Sequence, residues 1–140
     1  MSDRELMLAA MQAREQAYAP YSGYRVGAAL MTKDGAIYTG CNIENASFTP
    51  TNCAERTAVF KAVSEGERSF CTIAIVGGKG ETLDPICAPC GVCRQVLSEF
   101  CDSDFRIVLG TPERMEIYTL EALLPLNFRL KKESDAHENV

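Results

Sequence analysis

Thr72-Ile73-Ala74-Ile75-Val76 is a continuous stretch of residues suited to a β-strand, with no charged side chain in it. A stretch of this kind is typical of the centre of a sheet, because its side chains need cover on both faces. Gly66 before it and Gly77 after it indicate where the neighbouring elements end or begin. The stretch therefore predicts a central strand that is packed on both faces.

The segments around this strand alternate between strand patterns and helix patterns. Residues 24–31 and 36–41 are strand candidates, and Lys33-Asp34-Gly35 between them supplies the turn of an antiparallel hairpin. Further strands are predicted at 105–109 and 116–119, and loops at 42–52 and 77–89. Helices are predicted at about 3–17, 53–65, 91–100 and 119–124. This order predicts one layered α/β domain over residues 1–130, followed by a polar tail at 131–140.

The bulk composition argues against several classes of protein. The chain has 140 residues, 46% apolar side chains and a formal net charge of −5, which indicates a small globular protein rather than one that binds nucleic acid. No stretch approaches the roughly 20 apolar residues that span a bilayer. The N-terminus is charged and the seven cysteines are an odd number, so neither a secretory signal nor a disulfide framework is expected. We expect a cytoplasmic protein that binds neither nucleic acid nor membrane.

Two short cysteine motifs predict a metal site. Cys53-Ala54-Glu55 precedes Pro89-Cys90-Gly91-Val92-Cys93, and a Cys-x-x-Cys pair with a distant third thiol is a zinc-ligand pattern. Three protein ligands leave one corner of a tetrahedral ion open, which is typical of a catalytic site. Cys53 and Cys90 each open a predicted helix, where the positive end of the helix dipole favours the thiolate. Cys87 lies three residues before Cys90, so the spacing leaves it open as a competing ligand. Pro89 suits the start of a helix that would place Cys90 and Cys93 on one side, which favours that pair.

Charged residues beside these thiols predict how the site would work. The single histidine, His137, lies in the polar tail, so a bound zinc would carry three thiolates and an excess negative charge. Arg56 follows Cys53 by three residues and can donate to its sulfur, and Arg94 is a second candidate for that role. Glu55 fits a proton carrier beside a metal-activated water, although the helix dipole alone would also favour a Glu there. We predict that Glu55 is catalytic.

Ordered motifs over nearly the whole chain carry a family resemblance. They are Tyr21-Ser22, Val26-Gly27-Ala28-Ala29-Leu30, Asn42-Ile43-Glu44-Asn45-Ala46, Cys53-Ala54-Glu55-Arg56-Thr57-Ala58, Pro89-Cys90-Gly91-Val92-Cys93-Arg94-Gln95-Val96 and Leu123-Leu124-Pro125. Together they resemble the cytidine deaminase family, in particular its small homotetrameric branch. The resemblance implies a three-layer α/β/α sandwich around a mixed sheet of about five strands. It also implies one Zn²⁺ per chain on Cys53, Cys90 and Cys93, with Glu55 as the proton carrier.

The activity implied by the resemblance is hydrolytic deamination of cytidine and 2′-deoxycytidine to uridine and 2′-deoxyuridine, with release of ammonia, in pyrimidine salvage. Asn42 and Glu44 would hydrogen-bond the ribose hydroxyls, chiefly the 3′-OH. The backbone at Ala54 and in the Ala88-Pro89 turn would contact the base. The family pattern commonly has Ser in place of Ala88, a departure that bears on substrate affinity.

Aromatic positions complete what the resemblance implies. Tyr24 matches a position, usually Phe, that packs on the pyrimidine. Phe128 matches an aromatic that the family supplies to the pocket of a neighbouring subunit, which implies a homotetramer with sites near subunit interfaces. Phe48 stands where Tyr is common and lacks a hydroxyl that can bond across subunits.

Two other functions compete with this interpretation. The blasticidin S deaminases share the metal motifs, but a ribose-binding Glu44 favours ordinary nucleosides. A structural zinc or thiol-redox module could use Cys87, Cys90 and Cys93 instead. Such a module leaves Glu55 and the Asn42-Ile43-Glu44-Asn45 segment without a role, so we favour the deaminase.

Overall fold

The computed structural model describes residues 1–132, so His137 and most of the predicted tail lie outside the described part of the chain. Within residues 1–132 no helix is long and apolar enough to cross a bilayer. In chain order the elements are α1 (Asp3–Arg14), β1 (Tyr24–Thr32), β2 (Ile37–Cys41), α2 (Ala54–Ser64), β3 (Phe70–Lys79), α3 (Gly91–Phe100), β4 (Arg106–Thr111), β5 (Arg114–Thr119) and α4 (Leu120–Leu123).

The five strands form one mixed sheet in the order β2-β1-β3-β4-β5. β1 pairs antiparallel with β2 and β3, and β4 pairs antiparallel with β5, whereas β3 and β4 are parallel. The stretch 72–76 lies in β3 at the centre, as predicted. The parallel pair is possible because α3 and its flanking loops carry the chain from the end of β3 back to the start of β4. The predicted mixed α/β sheet is confirmed.

Helices cover both faces of the sheet, and the alternation of side chains along β3 divides the core in two. Ile73 and Ile75 lie in the larger cluster, together with buried residues of α2 and α3. Ala74 and Val76 point to the opposite face and pack in a cluster with α1. All four side chains are fully buried, which is why the stretch contains no polar alternation. The three layers are therefore α1, the sheet, and α2 with α3.

The first helix begins as its sequence suggests but ends earlier than predicted. The Ser2 side chain accepts a hydrogen bond from the Glu5 backbone, and Glu5 reciprocates in a capping box. The predicted extension to Ala17 is wrong, because α1 ends at Arg14. From Glu15 onward the backbone N–H groups bond three residues back, which tightens the chain into turns before it crosses towards the sheet.

The third strand is longer than predicted, because the loop predicted from Gly77 starts only after Lys79. Gly77 and Gly78 continue β3 and pair with Val26 and Arg25 of β1. Glycine is a poor strand former, so composition indicated a loop. A Cβ at Gly78 would overlap the backbone of Thr82, and a Cβ at Gly77 would overlap the Cys87 side chain, so close packing of the returning chain explains both glycines.

An ion pair joins the start of α1 to β4. Arg106 donates from Nη1 to Asp3 Oδ1 at 2.9 Å and from Nη2 to Oδ2 at 2.7 Å. The hydrogen bonds from Arg106 hold the pKa of Asp3 below its usual value. A carboxyl whose pKa is lowered by folding stabilises the protein above its unfolded pKa, and that stability is lost as the pH falls through the folded pKa.

We therefore expect Asp3→Asn to lower the free energy of unfolding at pH 7 by about 1 kcal/mol, because the pair is partly exposed. The difference from the wild type should shrink below about pH 5 as the unfolded-state carboxyl protonates. Urea unfolding at several pH values measures it, and Asp34→Asn in the exposed β1–β2 turn is the matched control. A difference that does not change with pH would contradict the assignment to this ion pair.

Candidate metal centre and active site

Two helix N-termini bring three thiols together. Cys53 is the N-cap of α2, Cys90 is the N-cap of α3, and Cys93 lies in the first turn of α3. The Sγ atoms of Cys53 and Cys90 are 3.9 Å apart, and those of Cys90 and Cys93 are 3.5 Å apart. All three Sγ atoms lie within 4.8 Å of one another. The predicted ligand residues therefore meet at one point, although Cys53 and Cys90 are 37 positions apart in the chain.

The spacing of the sulfurs fits a tetrahedral zinc ion. With Zn–S distances of about 2.3 Å, a tetrahedral site separates neighbouring sulfurs by roughly 3.8 Å. The distances of 3.5 and 3.9 Å lie on either side of that separation. Both helices also direct their positive ends at the sulfurs, and the Cys93 backbone N–H lies 3.4 Å from Cys90 Sγ. Backbone and side chains together thus form a site that accepts a thiolate-binding cation.

The protonation of the thiols shows that the cluster by itself does not stabilise three thiolates. The pKa of Cys53 is lowered to about 5, chiefly by the hydrogen bond from Cys93 and then by Arg56, against the effect of burial. The pKa of Cys93 is raised, because its proton is held by Cys53 and because a second charge beside the first is unfavourable. One negative charge is thus favoured and the next is opposed. A divalent cation removes that opposition, so the donor set fits Zn²⁺.

Of the two arginine candidates, the structure brings Arg56 to a ligand sulfur. Arg56 Nη2 donates to Cys53 Sγ at 3.2 Å, which places a fixed positive charge on the thiolate. Arg94 has a different role from the one considered for it: its Nε donates to the Pro89 carbonyl and its Nη1 to the Leu123 carbonyl. Arg94 therefore ties α3 to the preceding loop and to α4, and its hydrogen bonds do not reach the sulfurs.

The competing ligand Cys87 lies nearby but outside the group of three. It lines the same cavity as Cys53 and Cys90 without belonging to the set of converging ligand atoms among the described residues. Burial raises the pKa of Cys87 to about 11, so it remains a protonated thiol at neutral pH. Of the two overlapping pairs that the spacing allowed, the geometry favours Cys90 and Cys93.

Glu55 lies in the first turn of α2, close to the sulfurs, and is only 5% exposed. Burial, and to a smaller extent the charge on Cys53, raises the pKa of Glu55 to about 7. A carboxyl with a pKa near neutrality exchanges protons in both directions, as a general base and a general acid must. Buried carboxyls with raised pKa values in clefts are also typical of catalytic sites. A cation held by the sulfurs would favour its ionised form.

These groups open into a cavity of about 190 Å³. Its wall includes Glu55 and Ala54, the two ligand residues Cys53 and Cys90, and the polar side chains of Asn42 and Glu44. Ala88 completes the wall beside Cys87 and Cys90. The cavity thus combines a metal-binding corner, a proton carrier and two polar side chains, which is the composition of a small-molecule active site.

Residues 1–110 match a family model described as the cytidine and deoxycytidylate deaminase zinc-binding region. The chain belongs to this deaminase family. A cytidine deaminase from Sporosarcina psychrophila is 48% identical over 139 residues, with 99% of each chain covered. The crystal structure of cytidine deaminase from Burkholderia pseudomallei matches with a TM-score of 0.84 and 45% identity, covering 91% of this chain and 100% of that one.

Other members of the deaminase family are less similar. A blasticidin-S deaminase from Bacillus cereus is 32% identical over 109 residues, which cover 75% of this chain and 77% of the relative. The similarity to the cytidine deaminase relatives is higher and extends over nearly the full chain. The family comparison therefore confirms that the chain is an enzyme of this class and favours the cytidine deaminases within it.

The two residues for which the deaminase family implies ribose contacts are held by hydrogen bonds within the chain. Asn42 Oδ1 accepts from the Val26 N–H and its Nδ2 donates to the Tyr24 carbonyl, both at 2.8 Å. Glu44 Oε1 accepts from the backbone N–H of Tyr21 and of Ser22 at 3.0 and 3.1 Å. The Ser22 hydroxyl donates to Glu44 Oε2 and lowers the pKa of Glu44. Each side chain retains hydrogen-bonding capacity for a ligand.

The two aromatic candidates are not part of the cavity wall in the described chain. The Tyr24 hydroxyl donates to Asp84 Oδ2 at 2.6 Å, and its ring lies beside Gly77. Phe128 is 67% exposed, and its carbonyl accepts a hydrogen bond from Gln95. The predicted base contact of Tyr24 and the predicted inter-subunit contact of Phe128 stay predictions.

Sequence reasoning missed Asp84 and the way Ser22 holds Glu44. Asp84 stands in a segment without helix or strand periodicity, and its partner lies 60 positions away. No local pattern could have found that contact. Ser22 belongs to one of the motifs that carry the family resemblance. The hydrogen bond from its hydroxyl to Glu44 depends on how the turn after Pro20 packs, which the sequence does not show.

Proposed function

We propose that this enzyme hydrolytically deaminates cytidine and 2′-deoxycytidine to uridine and 2′-deoxyuridine and releases ammonia. The observation that carries the proposal is the meeting of three sulfurs at the edge of one cavity that Glu55, Asn42 and Glu44 line. The high similarity to cytidine deaminases over nearly the full chain supports the choice of substrate. The net charge of −5 supports a free nucleoside rather than a nucleic acid.

In this proposal Cys53, Cys90 and Cys93 hold one Zn²⁺ per chain. When bound, the ion supplies a Lewis acid that makes water a stronger acid and nucleophile near neutral pH. Arg56 withdraws negative charge from Cys53 through its hydrogen bond, which offsets the weakening of the Lewis acid by three thiolates. The donor set also supports this assignment, because cation binding relieves the repulsion between the thiolates.

Glu55 moves the protons of the reaction. Its carboxylate takes a proton from the attacking water and delivers it to N3 of the pyrimidine while oxygen bonds to C4. The remaining hydroxyl proton then passes through Glu55 to the exocyclic amine as the C4–N bond breaks. Water and cytidine are thereby converted to uridine and ammonia, and Glu55 ends as it began. Burial supports this cycle because the pKa of Glu55, about 7, permits both directions of transfer.

The polar side chains of the cavity wall bind the sugar. Glu44 stays ionised because Ser22 and the backbone of Tyr21 hydrogen-bond it, so it accepts hydrogen bonds from ribose hydroxyls, chiefly the 3′-OH. Asn42 uses its remaining donor for the same sugar. The backbone of Ala54 and of Ala88 lies at the cavity wall and contacts the base.

The proposal extends to the assembly and the cellular setting, for which the family resemblance is the support. We propose a homotetramer in which Phe128 of one subunit reaches the cavity of another, and its exposed ring supports this. We place the enzyme in the cytoplasm and in pyrimidine salvage. Sedimentation velocity tests the assembly, and a monomer that is fully active would contradict the role of Phe128.

An assay of cytidine turnover by ultraviolet absorbance, paired with metal analysis of the same sample, tests the proposed function. We expect turnover of cytidine and deoxycytidine in a preparation that holds about one zinc per chain. Blasticidin S is the comparison substrate, and we expect slower turnover of it because Glu44 and Asn42 are placed for a ribose. An active, zinc-free preparation would overturn the metal assignment, and faster turnover of the antibiotic would overturn the substrate.

We expect Arg56→Gln to lower zinc affinity by about 10- to 100-fold, because it removes the charge that lowers the Cys53 pKa. Competition with a chromogenic chelator measures that affinity. Arg68→Gln, which replaces an arginine that donates to the carbonyls of Val63 at the end of α2 and of Glu67 after it, is the matched control. Unchanged zinc affinity in Arg56→Gln would show that the guanidinium does not act on the ligand.

A further inference from the structure

Tyr24 makes three hydrogen bonds that lead to three different parts of the cavity wall. Its backbone N–H donates to Ser22 Oγ at 3.0 Å, and that same hydroxyl holds Glu44. Its carbonyl accepts from Asn42 Nδ2 at 2.8 Å. Its own hydroxyl donates to Asp84 Oδ2 at 2.6 Å. One residue at the start of β1 thus connects the proposed sugar-binding side chains with the segment that leads to Cys90.

That segment, residues 80–90, contains no helix or strand, yet it has to deliver Ala88 and Cys90 to the cavity. Its beginning is held by Arg14, whose Nη2 donates to the Gly78 and Gly80 carbonyls. Its middle is held at Asp84, where the backbone N–H donates to the Gly77 carbonyl at 2.8 Å and the side chain accepts from Tyr24. Asp84 is therefore the point where the 80–90 segment is fixed to the sheet by both backbone and side chain.

The packing around the Tyr24 ring supports the same role. A Cβ added to Gly77 would lie 2.6 Å from Cys87 Sγ and 3.1 Å from Tyr24 Cε1. The glycine therefore leaves the space in which the ring and the Cys87 side chain lie against β3. The half-buried ring lies against β3 at Gly77, its hydroxyl contacts Asp84 of the 80–90 segment, and Tyr24 is not part of the cavity wall.

We propose that Tyr24 is a positioning residue of the active site, whose hydroxyl holds the 80–90 segment through Asp84 in register with Asn42 and Glu44. The inference rests on the proposed function for the meaning of the cavity, and it goes beyond the base contact that family resemblance implies for an aromatic ring. A base contact uses the ring and would be served equally by Phe. The contact with Asp84 requires the hydroxyl.

The hydrogen bond between Tyr24 and Asp84 can persist at neutral pH. Burial and the neighbouring Asp84 raise the pKa of Tyr24, so the phenol remains a proton donor at neutral pH. A neutral donor to a carboxylate forms one of the stronger classes of hydrogen bond. Loss of this bond leaves Asp84 held to the sheet by its backbone N–H alone, which loosens the chain that positions Cys90. Misplacement of a ligand loop by a fraction of an ångström affects both metal retention and catalysis.

The test uses Tyr24→Phe, which removes only the hydroxyl, and Asp84→Ala, which removes the acceptor. Asp84→Asn keeps an acceptor oxygen and serves as the conservative rescue. Tyr118→Phe is the matched control, because Tyr118 also donates to a carboxylate, that of Glu116, but on the exposed edge strand β5. The zinc-loaded variants are compared by the rate of zinc loss to a chelator, by amide hydrogen exchange of residues 80–90, and by kcat and KM for cytidine.

We expect Tyr24→Phe and Asp84→Ala each to speed zinc loss and to lower kcat/KM by about tenfold. Exchange should rise in the 80–90 segment. Because both changes break the same bond, Tyr24→Phe combined with Asp84→Ala should be no worse than the more impaired single variant. Asp84→Asn should retain most of the wild-type behaviour, and Tyr118→Phe all of it.

Wild-type zinc retention and exchange in Tyr24→Phe would overturn the proposal, as would additive effects in the double variant. A role in base contact alone predicts that Tyr24→Phe is silent while Tyr24→Leu raises KM. The proposed function fails separately: if the zinc-loaded wild type does not turn over cytidine, the substrate assignment is wrong. Zinc loss and hydrogen exchange, which involve no substrate, still decide whether the tether exists.

Discussion

Glu55→Gln is expected to lower kcat for cytidine by at least about a thousandfold while zinc content stays unchanged. The amide has the size of the carboxyl but cannot take a proton from water or return one to the departing amine. Glu55 is almost fully buried, with a pKa raised by burial, so no exposed carboxylate can substitute for it at the same position. Because the change keeps all three sulfurs and the size of the side chain, binding of metal and nucleoside should survive.

The measurement is steady-state turnover followed by ultraviolet absorbance, together with metal analysis and the KM for cytidine. Glu65→Gln is the matched control, since Glu65 is exposed at the C-terminal end of the same helix. We expect that control to behave as the wild type. Near-normal kcat in Glu55→Gln would remove the proton carrier from the proposed mechanism, whereas loss of zinc in the same variant would instead assign Glu55 to the metal site.

The second large effect is expected from Cys93→Ala, which should lose zinc and abolish cytidine turnover. Cys93 is 0% exposed, so no water or neighbouring ligand easily takes its place. Two remaining thiolates do not hold the ion at the affinity of three. The loss also removes the bond between the N-termini of α2 and α3, so the melting temperature should fall, because zinc bound to the folded state stabilises it.

Two other cysteines provide the controls for that prediction. Cys87→Ala should retain zinc, because the ligand atoms that converge belong to Cys53, Cys90 and Cys93. Cys71→Ala, in β3 at the end remote from the glycines, should retain both zinc and activity. Zinc loss in Cys87→Ala together with zinc retention in Cys93→Ala would revive the overlapping pair that the sequence spacing left open.

The part of the candidate site that depends on residue types could be predicted from the sequence. Thiols at metal-ligand spacing and a carboxyl two positions after one of them carry their chemistry wherever the chain folds. The choice between Cys87 and Cys93 did not follow from spacing, since both lie three residues from Cys90. The choice depended on the N-terminus of α3. The first turn of this helix directs the Cys93 side chain towards the other two sulfurs, whereas Cys87 packs against β3.

The fold shows the same division. The apolar residues 72–76 predicted a central strand that is covered on both faces. The prediction succeeded because the alternation of side chains along a strand is a local property. The end of α1 and the continuation of β3 through Gly77 and Gly78 were wrong in the prediction. The end of the helix and the length of the strand depend on which other parts of the chain pack against them. Intrinsic propensity carries no information about that packing.

By itself, then, the sequence determined the sheet-forming core, the positions of the main helices, the metal-binding residue types and the family. Only the tertiary structure decided that Tyr24 donates to Asp84, 60 positions away, and that Ser22 and Asn42 link the same strand end to the cavity wall. Secondary-structure propensity and side-chain chemistry depend on a few neighbouring residues, so both can be predicted from the sequence. A hydrogen bond between distant segments exists only when packing of the whole sheet brings donor and acceptor within about 3 Å.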